Sequence, residues 1–121
     1  MPTAPACEIV DLLSLPAIEC PCGEARRAFA SRLDLPATVH WTKINQTAQK
    51  HFHQRQTEVY VIVQCDADAA LDLDGTIHPV RPGTAILIPP GVRHRAIGQM
   101  DVVIFCTPKF DPTDEFLDSD S

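Results

Sequence analysis

KHFHQRQTEVYVI, residues 50–62, sets two histidines two positions apart and, five residues on, a glutamate at the head of an apolar run. In a strand, residues i and i+2 share a face. His51 and His53 therefore present two imidazoles side by side, while Phe52 faces away. The polar QRQT that follows reads as a turn, and a hairpin there would fold the Glu58 carboxylate back toward the same point. A third imidazole, His94, comes just after the rigid turn IPPGV. Three neutral imidazoles and one carboxylate leave a divalent ion with positions open for water, oxygen or substrate. A closed structural zinc site would use four ligands, usually with cysteine among them. The mixed nitrogen and oxygen set suits a working metal better.

Working outward, eleven prolines in 121 residues leave little room for long helices. The intervening pieces read as strands. ATVHWTKI (37–44) is β-branched and aromatic, and EVYVIVQ (58–64) is so continuously apolar that cover on both faces is expected. AALDLDGTIHPV (69–80) alternates around Asp74-Gly75, a strong hairpin signal. TAILIPP (84–90), HRAIG (94–98) and DVVIFCTP (101–108) complete the series. Short strands at close spacing predict a sandwich or barrel. GEARRAFASRL (23–33) has helical propensity, but in this all-β setting we read it as a strand. Residues 1–36 are expected to pack as an extension on a barrel formed by 37–110, and 111–121 as an acidic tail whose last residues are disordered.

The balance of charge narrows the partners. A net charge of −6, with only one adjacent basic pair (Arg26-Arg27), argues against nucleic acid. No window reaches the ~18 apolar residues of a membrane span. The N-terminus lacks the basic region of a signal peptide. The five cysteines, Cys7, Cys20, Cys22, Cys65 and Cys106, are odd in number and irregularly spaced. This is no disulfide framework, so Cys20-Pro21-Cys22 is read as ordinary thiols and the compartment as a reducing cytoplasm.

Two motifs in order and spacing carry a resemblance. His51-Phe52-His53, four intervening residues, Glu58 and six residues to Cys65 form the first. Gly83, five residues, Pro89-Pro90-Gly91, Val92-Arg93 and His94 form the second. Together they resemble the cupins. Asn45 and Cys65 stand at the two glycine positions of the first motif, and Gly98 stands where the second ends in asparagine. The resemblance implies a jelly-roll barrel (a double-stranded β-helix) of two antiparallel sheets with the metal between them, and it suggests a homodimer. It also implies one divalent transition metal per chain (Fe, Mn, Ni or Zn) on His51, His53, Glu58 and His94.

Tyr60 shares the Glu58 face by period two, so Glu58 and Tyr60 are the expected catalytic side chains. The face of His40 is not readable from alternation. His78 is expected in solvent, and Arg93 and Arg95 are expected to point away from the metal. The partner is expected to be a small molecule. The leading expectation for function is a metal-dependent oxygenase. A sugar or sugar-phosphate isomerase or epimerase comes next, and a non-catalytic metabolite-binding module third.

Overall fold

A computed structural model of the chain describes residues 6–45 and 48–118. The strands run β1 (Ile18–Cys20), β2 (Gly23–Ala28), β3 (Thr38–Ile44), β4 (His51–Phe52), β5 (Thr57–Cys65), β6 (Ala70–Leu73), β7 (Thr76–Pro79), β8 (Ala85–Ile88), β9 (His94–Ile97), β10 (Met100–Thr107) and β11 (Phe116–Leu117). Short 3-10 turns at Leu12–Ser14 and Pro112–Asp114 are the helical segments of the described residues. The strands form two antiparallel sheets. One has six strands in the order β1-β2-β3-β10-β5-β8, and the other has five in the order β11-β4-β9-β6-β7. This is the expected all-β barrel. Segment 23–33, ambiguous by propensity, supplies β2, because β3 offers it a pairing partner along its whole length.

Alternation decides what each wall buries. Along β3, Thr38, His40, Thr42 and Ile44 point inward, and β10 buries Met100, Val102, Ile104 and Cys106. The sheets meet over Ile44, Ile62, Leu71, Ile88, Val102 and Ile104, all nearly free of solvent. Burying each such side chain contributes ~1.5–3 kcal/mol. At the β6–β7 hairpin the two central residues, Asp74 and Gly75, both have positive φ (51° and 90°). That is the backbone a two-residue primed turn requires. The Asp72 carboxylate accepts the Gly75 N–H at 2.8 Å and closes the turn.

Several expectations change. β5 is not covered on both faces: Glu58, Tyr60 and Ile62 are buried, while Val61 and Val63 are exposed on the outer side. The segment between His53 and Glu58 is not a hairpin either. β4 belongs to the five-stranded sheet and β5 to the six-stranded one, so the chain turns a corner between sheets. Residues 111–118, read as a tail, belong to the barrel. Pro112–Asp114 packs beneath that corner, and β11 pairs with β4 through Phe116↔Phe52 and Leu117↔His51. The disorder expected for the last residues falls on 119–121, outside the described residues. Cys20 and Cys22 are not free thiols but form a disulfide. The β1–β2 hairpin turns through Pro21-Cys22, since Cys20 pairs with Gly23, and this brings their Cα atoms to 5.2 Å, well within bridging range. Cys7, Cys65 and Cys106 remain free.

Candidate metal centre

His51 and His94 face each other directly across the β4–β9 ladder, with ring centroids 4.3 Å apart. His53 lies two residues beyond His51 on the same face, its ring 5.2 Å from that of His51 and 5.5 Å from that of His94. Phe52 turns outward, stacked on Phe116 and capped by the Arg93 guanidinium 3.8 Å from its ring centre. Glu58 arrives from the opposite sheet. Its Oε1 lies 3.1 Å from His53 Nε2 and 3.4 Å from His94 Nε2. None of the four residues is more than 6% exposed, and one ligand atom from each falls within 4.8 Å of all the others.

The hydrogen bonds fix which nitrogen of each imidazole faces the cluster. Nδ1 of His51 meets the Gln49 carbonyl at 2.9 Å, Nδ1 of His53 the Asp114 carbonyl at 2.7 Å, and Nδ1 of His94 the Val92 carbonyl at 2.9 Å. A carbonyl only accepts, so each Nδ1 donates its proton and each Nε2 keeps a free lone pair. Yet His53 Nε2, His94 Nε2 and Glu58 Oε1 are buried with no aligned hydrogen-bond partner. Groups so close, so buried and so poorly paired with one another are the arrangement a divalent cation completes. The residues present therefore fit one metal ion, with Nε2 of the three histidines and the Glu58 carboxylate as its ligands.

Electrostatics keep two of these groups in their metal-binding forms. Burial and the neighbouring His94 hold His51 down at about 4, so its imidazole is neutral at physiological pH. Burial works against the Glu58 charge, but the attraction of the adjoining His53 and His94 rings outweighs it and holds the carboxyl well below its ordinary range. Burial likewise disfavours the His53 cation, but the Glu58 carboxylate outweighs it and raises His53. At His53, then, protons and metal compete for the same nitrogen.

The corner that brings His53 and Glu58 together is held by a residue that sequence reading passed over. The buried Asp114 carboxylate accepts the backbone N–H groups of Gln54 (2.9 Å), Arg55 (3.0 Å) and Gln56 (3.0 Å). Gln56 reinforces the corner by donating from Nε2 to the Asp111 carbonyl, while its Oε1 accepts from the Cys106 thiol. The sequence did carry a local signal here. In Asp111-Pro112-Thr113-Asp114, an N-cap followed by proline starts a helical turn, and the Asp111 side chain does accept the Thr113 N–H. Nothing local ties that turn to residues 54–56.

Tyr60, the other candidate catalytic side chain, points into the interior, its ring 6.2 Å from His94 and edge-on to it. His40 points inward too, with Nε2 2.8 Å from Thr38 Oγ1 and its ring edge on Phe110. Burial and the nearby Arg27 charge hold His40 down at about 4. His78 and Arg95 are exposed, and Arg93 lies outside on Phe52. The three motif departures leave the ligands in place. Gly98 adopts φ 86°, a conformation that glycine and asparagine both tolerate, which accounts for one standing where the other is usual.

The fold and site define a small jelly-roll barrel with a candidate metal cluster between its sheets. A family profile described as Cupin domain matches residues 39–107, more than half the chain, and the protein belongs to the cupin family. A crystal structure of a protein from Planctomyces limnophilus is similar over 92% of this chain and 96% of that one, at 37% identity and TM-score 0.88. The nucleoside dehydratase Pac13 is similar at 19% identity and TM-score 0.78, over 93% of this chain and 92% of that one. Ectoine synthase from P. lautus is similar at 14% identity and TM-score 0.72, over 92% and 89%. The last two likenesses establish the fold alone. No curated protein matches. No helix of the described residues is long and apolar enough to cross a membrane.

Proposed function

We propose that this cupin is a metal-dependent enzyme acting on a small organic molecule in the barrel interior. The observation that carries the reading is the convergence of three Nε2 atoms and the Glu58 carboxylate, each imidazole locked by a backbone carbonyl. A bound divalent ion would supply Lewis acidity toward a substrate oxygen. The protein's own groups would then move protons. His40, buried and neutral at physiological pH, is suited to accept one. The Tyr60 hydroxyl, which burial keeps protonated, is suited to donate a hydrogen bond. Glu58 would serve as metal ligand and not as the base, since it is held ionised against two histidines. Proton transfer without net oxidation also suits a dehydratase, the activity of the similar structure Pac13.

An oxygenase is the second reading. It is favoured by the mixed three-histidine, one-carboxylate donor set, which leaves positions open at a redox-active ion. Turnover of a substrate panel by the protein loaded with Fe(II), Mn(II), Ni(II) or Zn(II), with and without oxygen, separates the two. Turnover that persists anaerobically supports proton-transfer chemistry. Oxygen uptake confined to the Fe(II) form overturns it in favour of the oxygenase. A loaded protein inert across the panel leaves a binding module.

A homodimer belongs to this reading. The outer face of the six-stranded sheet exposes Val61, Val63, Leu87 and Phe105, and such an apolar sheet face suits a second copy of the chain. Sedimentation velocity should give a dimer, and Val61→Asp should shift it toward monomer.

A further inference from the structure

Arg27 takes no part in the metal cluster, yet it stands on the same inner wall. It pairs with His40 in the β2–β3 ladder, His40 pairs with Ile104, and Ile104 with Tyr60. One row of inward side chains thus runs Arg27, His40, Ile104, Tyr60. It lies next to the row in which Glu58 pairs with Cys106. The Arg27 guanidinium lies against the Phe110 ring, 3.6 Å from its centre. Its Nε is buried without a hydrogen-bond partner, and no ion pair of the described residues includes it.

Nor is the orphaned donor alone. Thr42, one step along the same inner face of β3, has a buried Oγ1 with no partner either. Leaving a buried polar group unsatisfied is destabilising. Of the two, the Arg27 donor sits on a cation, the group that an anion from outside the chain would satisfy. Burial lowers the Arg27 pKa, and attraction to the Glu115 and Glu58 carboxylates opposes it. Arg27, Phe110 and Glu115 are half-buried where the four ligands are buried.

We propose that Arg27 anchors a small organic carboxylate, held edge-on by the guanidinium with Phe110 fixing its plane. The proposal rests on the reading of the interior as a substrate chamber. A planar two-oxygen anion matches the edge of a flat guanidinium. A tetrahedral phosphate dianion would want further cations, and this wall offers one, with Glu115 and Glu58 nearby.

The test is calorimetric titration of propionate, inorganic phosphate and neutral propionamide into wild-type protein, both metal-loaded and metal-stripped, and into Arg27→Gln and Arg27→Lys. The expected result is that propionate binds wild type in both metal states and that propionamide does not. Arg27→Gln should weaken propionate at least tenfold with unchanged metal content. Arg27→Lys, which keeps the charge but not the fork, should weaken it severalfold, and it carries the test if the Gln variant does not fold. Equal propionate affinity in the Arg27 variants, no binding by wild type at millimolar concentration, or phosphate binding as tightly would each overturn the proposal. Propionate binding that vanishes on metal removal yet ignores Arg27 would overturn the anchor while leaving the metal site standing. Arg27-dependent binding by a protein that never takes up metal would do the reverse.

Discussion

The two walls of the barrel carry different chemistry. The five-stranded sheet contributes His51 and His94, paired across one ladder position, and His53 just past the strand end. The six-stranded sheet contributes the carboxylate of Glu58 and then a second tier of polar groups: His40, Tyr60 and Arg27. One wall offers three imidazole nitrogens that could hold an ion, and in the proposed function the other wall faces the substrate, with Glu58 as the group both share. The difference implies that substitutions on the first wall should remove metal, whereas those on the second should leave metal and change chemistry or binding.

The corner joining the walls should be the most sensitive point. Asp114→Ala strands three backbone N–H groups at a buried corner, and at ~1–3 kcal/mol for each unsatisfied group the expected loss is ~3 kcal/mol or more. Denaturant unfolding measures it, and a loss under ~1 kcal/mol would show that the corner holds without this carboxylate. The effect has a pH signature. Burial opposes the Asp114 charge, but the three N–H groups outweigh it and lower the pKa. A depressed carboxyl stabilises the fold above the ordinary Asp value of ~3.9 and loses that contribution as pH falls through the folded-state value. The stability gap between wild type and Asp114→Asn should therefore be full at pH 7 and shrink below about pH 4.

Glu58→Gln comes next. It keeps the shape but removes the anionic ligand, so metal affinity should fall by at least the roughly 10–100-fold that losing a ligand's supporting partner costs, while the three imidazoles retain some binding. Titration with a chelator competitor reads this, and unchanged affinity would make Glu58 a bystander. For the wild type, affinity should decline as pH drops through ~6.5, because protons compete for imidazole nitrogen and Glu58 holds the His53 proton more tightly than usual. The smallest effects on metal should come from His40→Gln and Tyr60→Phe, both expected to keep wild-type metal content. Loss of metal in either would erase the contrast between the walls.

Much of this was legible in the sequence, for identifiable reasons. Alternation places His51 and His53 on one side whatever the tertiary context, and Asp74-Gly75 and Pro89-Pro90-Gly91 are turns set by backbone chemistry. The side of His40 was not legible, because β3 carries acceptable residues on both faces and only its partners decide. The corner at 53–58 looked like a hairpin since a local reading cannot tell a return within a sheet from a crossing between sheets. Asp114 was hidden by distance: its partners lie some sixty residues earlier. The Cys20–Cys22 bridge was misread because cysteine counting addresses frameworks, whereas this pair is brought together by one tight turn.

The central claim is that His51, His53, Glu58 and His94 form one metal site. Elemental analysis of the purified protein after equilibration with excess divalent metal and desalting, beside His51→Ala and His94→Ala, tests it most directly. The expected result is close to one transition-metal ion per chain in the wild type and little in either variant. Wild-type protein without stoichiometric metal, or variants that keep it in full, would contradict the claim.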